Sequence, residues 1–392
     1  MESSVTGYLR RAALVVVIAI TVVVGWIGFR MWRAWTEVDR VAFDPGSARI
    51  ALDGAQGTTG YEPVPGDDLG DNAVPFVEGG LADDSDTHSR AGVRATTELS
   101  DAYLIVGSDQ RSELGASRRA DVILLFIKPT GGGNPILVSV PRDLYLPNPC
   151  TGEMSRINAN LNGCGDFANG PEQLAVAVED FTGIHIDHFV VFDFDGFRAV
   201  IDRVGGVEVC VDNPVHDPNT SPTPLDLPAG CSTIGGDMAL SWVRSRRTQE
   251  LVDGEWRTVP NVSDLTRNQR QQDLILQALD RLKAFTDVSE LTALIEELSH
   301  TFTIDDNLTV GDAIRTAWSL RGLDLGTVVR PVLEVANFIT PTGAYVLVPT
   351  KSFEEIIIAA DPTAVSLFQP SGACTKTRDA VSEFRRPNRR YP

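Results

Sequence analysis

The chain has 392 residues, 43% apolar and 22% charged, which is typical of a globular protein with a core of normal size. Acidic residues outnumber basic ones by 53 to 34, giving a formal net charge of −19. Such a surface repels nucleic acid, so we expect no nucleic-acid partner.

An apolar run, Ala12–Phe29, lies near the N-terminus. A helix of this length spans about 27 Å, close to the hydrocarbon thickness of a bilayer. The run ends among Trp26, Phe29, Trp32 and Trp35, a composition typical of the membrane interface. A cleavable signal peptide is the competing interpretation, but its apolar core is usually about 7–15 residues long and ends at small residues. We therefore predict a short cytoplasmic tail and one transmembrane anchor in residues 1–35, with the rest of the chain outside the cytoplasmic membrane.

Residues 36–98 show no clear periodicity. Gly, Asp, Pro and Thr dominate residues 54–71, and residues 83–86 form an acidic patch. This composition predicts a flexible acidic stalk.

Order begins near Ala102 with three apolar runs that predict strands: 103–107, 122–127 and 136–140. A glycine-rich turn at 130–134 joins the last two runs as a hairpin. Further strands are predicted at 189–192, 207–211, 328–333 and 345–348, and a loop at 212–230. Helices are predicted at 171–181, 197–204, 236–243, 264–284, 291–298, 310–320 and 353–360. Strands that are apolar on both faces and alternate with helices predict an α/β domain over residues 99–365, with a central sheet between helical layers. Residues 366–392 are predicted to be a mobile tail.

Four of the five cysteines flank two polar loops, Cys150 with Cys164 and Cys210 with Cys231. No CxxC motif or His/Cys cluster is present, so a zinc site is not indicated. Two local disulfides fit an oxidising compartment, and Cys374 is left over.

Polar clusters follow several of the apolar segments, where α/β sheets place their sites. Asp109 comes just after the first strand, and Asp121 lies twelve residues further on. Their carboxylates suit Mg²⁺, which takes phosphate oxygens as further ligands. The alternative is that both are ordinary turn and strand-edge residues.

Other polar clusters are rich in arginine. The residues concerned end a strand or helix, or begin a helix: Arg142, Arg244, Arg246, Arg267, Arg270 and Gln271. The last three stand at i, i+3 and i+4 in the first turns of a helix, where the dipole and free N–H groups favour an anion. Guanidinium groups bind phosphate bidentately. Alternatively, Arg142 and Asp143 form a surface ion pair, and Arg244 and Arg246 form a solvated helix end.

Together these segments resemble the LytR-CpsA-Psr family over roughly residues 102–360. The matching stretches occur in this order: GSDQR, RRADVILLFI, LVSVPRDLY, SRINANLNG, DHFVVFDFDGF, VGGVEV, ALSWVRSRRT and SDLTRNQRQQ. One departure is Val122, where the family often has Thr. The resemblance implies an exported enzyme whose central sheet is mixed.

The resemblance also implies roles for individual residues. Asp109 and Asp121 are expected to hold Mg²⁺ or Mn²⁺ against a pyrophosphate. The residues expected to bind the pyrophosphate are Arg119, Arg142, Arg244, Arg246, Arg267, Arg270 and Gln271. Arg142, Asp264 and Arg267 are expected to act in catalysis, with Asp264 orienting arginines or accepting a proton.

The implied reaction is transfer of a glycopolymer from a polyprenyl pyrophosphate carrier to peptidoglycan or a related wall acceptor. Such a reaction needs alignment and charge neutralisation, and the lipid needs an apolar groove, expected between the sheet and a helical layer. A lipid pyrophosphatase would use the same site, so the sequence leaves that alternative open. A non-catalytic, membrane-tethered regulatory protein is the alternative from another class, although the complete set of Arg and Asp residues does not favour it.

Overall fold

The computed structural model describes residues 26, 28–58, 99–108, 120–259, 264–283, 288–299, 301–309, 311–313, 315–316, 322 and 324–368. The strands are β1 (Asp39–Val41), β2 (Ser100–Ser108), β3 (Ala120–Pro129), β4 (Ile136–Ser139), β5 (Tyr145–Pro147), β6 (Met154–Arg156), β7 (His188–Phe192), β8 (Val207–Val211), β9 (Val215–Asp217), β10 (Leu225–Leu227), β11 (Gly230–Ile234), β12 (Gln249–Val252), β13 (Glu255–Thr258), β14 (Phe302–Asp305), β15 (Val335–Ile339) and β16 (Tyr345–Pro349). The α-helices are α1 (residues 28–37), α2 (Pro45–Thr58), α3 (Gly170–Thr182), α4 (Phe194–Arg203), α5 (Gly236–Arg244), α6 (Asp264–Lys283), α7 (Val288–Leu298) and α8 (Phe353–Ala360).

A six-stranded sheet in the order β1-β14-β7-β2-β3-β4 forms the centre. The pairs β1/β14 and β2/β7 are parallel, and the other pairs are antiparallel. The predicted α/β fold with a mixed central sheet is therefore confirmed, as is the hairpin that joins β3 to β4. The carboxyl ends of β2 and β7 meet at one edge of this sheet.

Each face of the sheet is covered by helices. On one face Leu104 and Val106 pack against α3 residues such as Leu174 and Val178 in the main core. On the other face Leu124 and Phe126 belong to a cluster packed by α6 residues Ile275 and Leu276. Strands buried on both sides in this way have few polar positions, which is why their sequences are nearly continuous apolar runs.

A second core lies beyond the edge where β2 and β7 end. It is formed by α4, α5, the middle of α6 and the β8–β11 region, with Ile201, Val207 and Leu240 among its buried residues. Its packing requires Gly236 at the start of α5, because a Cβ there would lie 2.5 Å from the Arg198 carbonyl oxygen. The gap between this second core and the sheet is where the polar segments converge.

Two predictions about local structure are wrong. The proline-rich segment 212–230 is not simply a loop, because it contains β9 and β10, which pair with each other while β9 also pairs with β12. These strands are only three residues long, too short for periodicity to reveal. The predicted strand at 328–333 makes one isolated bridge through Val329, and the strand that pairs with β16 is β15, further along the chain.

The prediction of a flexible stalk over residues 36–98 is wrong for residues 39–58. Asp39–Val41 is the edge strand of the central sheet, and α2 follows it directly. Ala48 and Leu52, one helical turn apart, are buried against Val176 of α3. Arg49 on the same helix forms ion pairs with Glu179 and Asp180. The i, i+4 apolar spacing was hidden among small and polar residues.

The predicted domain end is also slightly misplaced. Leu367, assigned to the tail that begins at residue 366, is 1% exposed in a 3₁₀ helix that closes the domain. Residues 369–392, with Cys374, and most of the predicted helix 310–320 lie outside the described residues.

The predicted anchor Ala12–Phe29 also lies outside them, apart from Trp26, Gly28 and Phe29. Across the part of the chain that the structure describes, no helix combines the length and apolarity needed to cross a bilayer.

Candidate functional site

A cavity of about 840 Å³ opens between the central sheet and the second core. Residues from the ends of β2, β3 and β7, from α4, α5 and α6, and from the segment after β9 line it. One part of its wall is cationic and another is apolar. The cationic and amide residues are Arg142, Arg244, Arg246, Arg247, Arg267, Asn219 and Gln271.

Arg142 is held in place by both its backbone and its side chain. Its carbonyl oxygen accepts a hydrogen bond from the Asn158 N–H at 3.3 Å. Its guanidinium donates to the Asp121 carboxylate, and its Nε lies 3.4 Å from Asp143 Oδ2. Arg156 approaches the other oxygen of Asp143, with its Nε at 3.2 Å. The alternative prediction was an isolated surface ion pair between Arg142 and Asp143. The structure instead has a row of alternating charges, Asp121, Arg142, Asp143 and Arg156.

Asp121 reaches the cavity because of a β-bulge. Gly107 pairs with Val122 and Ser108 pairs with Ala120, so Asp121 is the extra residue on β3. Bulges re-aim a side chain out of the regular alternation of a strand. The carboxylate that the sequence places at a strand edge is thereby turned toward the arginines.

Two residues of α6, Arg267 and Gln271, lie on the cavity wall one helical turn apart. Arg267 is only 9% exposed. Burial lowers its pKa to about 10, and repulsion from Arg246 and Arg142 acts in the same direction. Three guanidinium groups therefore crowd one region, and a multiply charged anion would relieve their repulsion.

The end of α5 supplies the remaining arginines. The Arg244 guanidinium lies 4.5 Å from the ring centroid of Phe194 and donates to the Ser221 carbonyl oxygen at 3.3 Å. Arg246 and Arg247 continue into the turn before β12. The sequence-based prediction did not include Arg247, although it directly follows Arg246 in the chain.

Asp217 fixes this turn through hydrogen bonds. The sequence-based prediction did not include it. It is 2% exposed, and its carboxylate accepts from Ser245 Oγ at 2.7 Å, from the Arg247 N–H at 3.2 Å and from the Asn219 N–H at 3.0 Å. Burial alone would raise the pKa of Asp217, but these hydrogen bonds lower it overall. An ionised carboxylate thus ties the segment after β9 to the arginine-bearing turn. No local pattern could have revealed its link to the arginine-bearing turn, because the two partners in that turn are 28 and 30 residues away.

The apolar part of the wall includes three aromatic residues. They come from the end of β7 and from α4, and the other apolar residues come from β3, α5 and α6. The set is Val122, Phe192, Phe194, Phe197, Leu240, Val243 and Ile275. This is the position, between the sheet and a helical layer, where the sequence predicts an apolar groove.

Arg270 does not line the cavity, contrary to the prediction that it shares a face with Arg267 and Gln271. Its guanidinium lies 3.8 Å from the Trp242 ring centroid and donates to Thr248 Oγ1 at 3.3 Å. At i+3 the side chain lies on the flank of the helix, where this aromatic ring receives it. Burial lowers the pKa of Arg270 to about 10 as well.

The other predicted site residues are placed as follows. Asp109 and Arg119 lie outside the described residues, and Asp264 is the first residue of α6. Cys150 and Cys164 are joined, with Cα atoms 5.7 Å apart, as are Cys210 and Cys231 at 3.9 Å. Among the described residues one close acidic and sulfur group exists, formed by Glu208 with Cys210 and Cys231, but its sulfurs are used by the disulfide.

Asp121 is the described residue that suits a hard cation at the cavity. The other lining carboxylate, Asp217, is already saturated by three donors. Asp121 offers carboxylate oxygens that are paired with a single guanidinium. Its donor chemistry therefore fits Mg²⁺, with the remaining ligands to come from other oxygens.

The family model that matches this chain is that of the LytR_cpsA_psr family, over residues 82–359. The chain belongs to the LytR-CpsA-Psr family. The match covers the cavity, the second core, most of the main core and every named strand except β1.

Two relatives show what kind of protein this chain is similar to. A probable cell wall biosynthesis protein, LcpB of Corynebacterium glutamicum, is 30% identical over 253 residues, covering 60% of this chain and 55% of that protein. A polyisoprenyl-teichoic acid–peptidoglycan teichoic acid transferase, TagV of Bacillus subtilis, is 25% identical, covering 56% of this chain and 53% of that protein. This chain thus spans about half the length of the relatives it matches.

A solved structure supports the fold of this LytR-CpsA-Psr protein. The LytR-Csp2A-Psr enzyme from Actinomyces oris superposes with a TM-score of 0.51 at 25% identity, covering 69% of this chain and 90% of that one. The agreement extends to the mixed sheet and the helices that cover it.

Proposed function

We propose that this protein is a membrane-anchored phosphotransferase. It moves a glycopolymer from a polyprenyl pyrophosphate carrier to peptidoglycan or a related wall glycan. The observation that carries the proposal is the cavity itself, which joins five arginines to an apolar wall within one space of about 840 Å³. A pyrophosphate linked to a lipid has the same two-part chemistry. The similarity to TagV, a polyisoprenyl-teichoic acid–peptidoglycan teichoic acid transferase, supports this class of substrate.

In the proposed reaction, an acceptor hydroxyl oxygen attacks the phosphorus nearest the sugar. The bond between that phosphorus and the bridging oxygen breaks, and polyprenyl phosphate leaves. The acceptor proton passes to a base, for which Asp264 at the start of α6 is the proposed residue. Arg142, Arg246 and Arg267 neutralise the charge that develops on the phosphate oxygens. A bound anion would relieve the repulsion among them, which Asp121 and Asp143 offset only in part.

Asp121, together with Asp109, is proposed to hold Mg²⁺ or Mn²⁺ against the pyrophosphate. The cation would supply additional charge neutralisation there. Asp121 also orients Arg142 through their direct ion pair, so the carboxylate would serve the metal and the arginine together.

The proposed location is the outer face of the cytoplasmic membrane. The run Ala12–Phe29 is proposed to be the transmembrane anchor, with the catalytic domain extracytoplasmic. Two disulfides in the folded domain suit an oxidising compartment, which supports this location.

The decisive experiment is the substitution Arg142→Ala in the full-length protein. The assay follows release of polyprenyl phosphate from a polyprenyl pyrophosphate-sugar donor in the presence of Mg²⁺. We expect turnover to fall about 100-fold or more, because one charged donor to the transferred group is lost. Arg330→Ala is the matched control, since Arg330 pairs with Asp273 and does not line this cavity. Unchanged turnover in Arg142→Ala would contradict the proposal.

The pyrophosphatase alternative is tested in the same assay. A transferase should release polyprenyl phosphate faster when a wall glycan acceptor is added, and the glycopolymer should become covalently attached to it. Release that is independent of acceptor, with only water-derived product, would assign hydrolysis instead. A cavity that binds the donor but releases nothing would indicate the non-catalytic alternative.

A further inference from the structure

The helix that follows the predicted anchor is packed onto the folded domain. Helix α1 buries Ala34, which is 1% exposed, and the chain then passes through Val38, which is 9% exposed, directly into β1. Trp35 and Val38 pack in a small core with Ile304 of β14. The chain that leaves the anchor therefore enters the central sheet without a flexible spacer.

An ion pair on the side of α1 strengthens this docking. The Arg30 Nε donates to Glu296 Oε1 of α7 at 3.1 Å. Arg40 reaches back from β1 and donates to the Trp35 carbonyl oxygen at 3.3 Å. The end of α1 is thus tied to two separate elements of the domain.

Within the part of the chain that the structure describes, Trp26, which precedes α1, and Phe29 and Trp32 on α1 are large apolar side chains that stay largely exposed. Trp26, Phe29 and Trp32 are each 57% exposed. Their spacing of three residues places them along one side of the helix. Beside them lies Arg33, whose side chain is 69% exposed although its Nε donates to Glu37 Oε1 on the same helix at 3.1 Å. An aromatic stripe bordered by arginine is the composition of the bilayer interface.

We propose that this stripe of Trp26, Phe29 and Trp32 lies in the interface of an anionic bilayer, and that α1 thereby holds the catalytic domain on the membrane surface in one fixed orientation. The occupant is the bilayer because the stripe continues the apolar run Ala12–Phe29. Arginine beside the stripe complements anionic headgroups. The inference rests on the proposed anchor, but not on the proposed reaction.

The position of the acidic segment supports the same conclusion. Residues 59–98 follow α2 and precede β2, so both ends of this segment begin on the folded domain. It cannot serve as a spacer between membrane and domain, since β1 and α2 already come before it. The domain is therefore not tethered through 60 residues of flexible chain, as the sequence suggested, but joined to its anchor by a docked helix.

The test uses the full-length protein with Cys374→Ser, reconstituted in nanodiscs of phosphatidylglycerol and phosphatidylethanolamine. Fluorophores are attached in separate samples at Thr130→Cys, just after β3, and at Asp226→Cys, an exposed position of β10 that pairs with β9 beyond the other end of β2 and does not line the cavity. Energy transfer to an acceptor on the lipid headgroups reports the height of each label. A fixed domain should give two narrow distance distributions, whose means differ by up to roughly 30 Å, the length of the nine-residue strand β2.

Ala34→Glu undocks α1 by placing a charge at a buried position, and Thr36→Glu adds the same charge to an exposed position of the same helix. We expect Ala34→Glu to broaden both distributions and bring their means together, whereas Thr36→Glu should match the wild type. Thermal unfolding checks that the domain remains folded. If Ala34→Glu unfolds it, Glu296→Arg, with rescue by Arg30→Glu, replaces it as the test.

Broad, identical distributions in the wild type would overturn the proposal, and so would an Ala34→Glu protein that is folded and unchanged in both labels. Turnover of the polyprenyl pyrophosphate-sugar substrate by the wild-type protein in detergent does not depend on these distances. An absence of that turnover would contradict the proposed reaction and leave the proposed orientation untouched.

Discussion

Two arginines of α6 show how similar burial leads to different roles. Arg267 and Arg270 both have their pKa lowered to about 10, in both cases chiefly by burial. The further repulsion on Arg267 comes from Arg246 and Arg142, whereas Arg270 lies on the Trp242 ring and near Glu250. Arg267 is thus held against other cations, which favours a site for an anion, and Arg270 is held by packing.

This contrast gives a prediction for the pair of variants Arg267→Met and Arg270→Met. Arg267→Met should raise the unfolding midpoint by roughly 2–4 °C, because it removes a desolvated charge that repels its neighbours. It should also abolish turnover. Arg270→Met should lower the midpoint, since the ring contact and the hydrogen bond to Thr248 are lost. Calorimetry without ligand measures both, and a destabilised Arg267→Met would show that the site is not strained by its own charge.

Asp217 supports the site without reaching into the arginine cluster itself. In Asp217→Asn, one of the oxygens that accept from Ser245, Arg247 and Asn219 becomes a donor. We expect KM for the donor to rise about tenfold or more, because the turn bearing Arg246 and Arg247 is no longer fixed. Asp226→Asn, at an exposed position of neighbouring β10, is the control. Equal KM values in the two variants would remove Asp217 from this role.

The protonation of Asp217 has a defined sign. Its pKa is lowered in the folded protein, so its contribution to stability is present above the unfolded pKa and is lost as the pH falls through the folded pKa. The turn that carries the arginines should therefore remain ordered at neutral pH and loosen only in strong acid.

At the scale of elements, the sequence predicted best what depends on continuous burial. The strands β2, β3 and β7 were found because apolar residues run along them without interruption. The helices α3 and α6 were found because apolar residues recur in them at helical spacing. The strands β12 and β13 pair across the two-residue turn Asp253-Gly254, a local hairpin signal that the sequence reasoning missed. The pairing of β9 with β12 joins residues more than 30 positions apart, and no local pattern encodes it. In the site, arginines that follow or end a strand or helix, such as Arg142 and Arg244, could be predicted from the sequence. The β-bulge that turns Asp121 into the cavity could not, because it depends on how β2 pairs with β3.

The pairing of β7 with β14 contains an imidazole–carboxylate contact that should make stability depend on pH. His188 Nδ1 lies 3.2 Å from Asp305 Oδ2, and Asp305 is completely buried. Burial alone would lower the pKa of His188, but the hydrogen bond and charge of Asp305 raise it overall.

Because the folded pKa is raised, the stabilisation by His188 is fully present below the unfolded pKa of about 6.5 and is lost as the pH rises through the folded pKa. The stability difference between wild type and His188→Gln should therefore be larger near pH 6 than near pH 9. Urea unfolding at both values measures it. His216→Gln, whose ring bonds to the neutral amide of Gln249, is the control. A difference that is the same at both pH values would contradict this assignment.

The disulfide between Cys150 and Cys164 should have an effect on the element that it supports. Cys164 is 7% exposed and packs with Ala48 and Leu52 of α2. Replacing both cysteines by serine should destabilise the domain by about 3 kcal/mol and speed amide exchange in α2. The same change at Cys210 and Cys231, which are exposed on the β8/β11 pair, should leave exchange in α2 unchanged. Equal amide exchange of α2 in the two variants would show that the Cys150–Cys164 disulfide does not stabilise this helix.

For the whole molecule, the most consequential error in the sequence-based prediction concerned the order of segments along the chain. Composition alone suggested anchor, stalk and then domain, because the acidic segment comes before the first long apolar strand. The structure places β1 and α2 before that segment, so the domain begins close to the anchor. A three-residue edge strand and a helix rich in alanine and glycine carry too little apolar signal to reveal this in sequence.

The size of the cavity has a consequence for how the proposed enzyme meets its substrate. A space of about 840 Å³ is in the range that accommodates a drug-sized molecule, enough for a pyrophosphate and the nearest part of its lipid. The remainder of a polyprenyl chain must then stay among the acyl chains throughout the reaction. The lipid-linked donor and the released polyprenyl phosphate would both diffuse in the plane of the membrane. The turnover rate would then follow the number of carriers per unit area of leaflet. Dilution of the carrier with inert lipid should slow the enzyme, even when the bulk amounts of protein and carrier are unchanged.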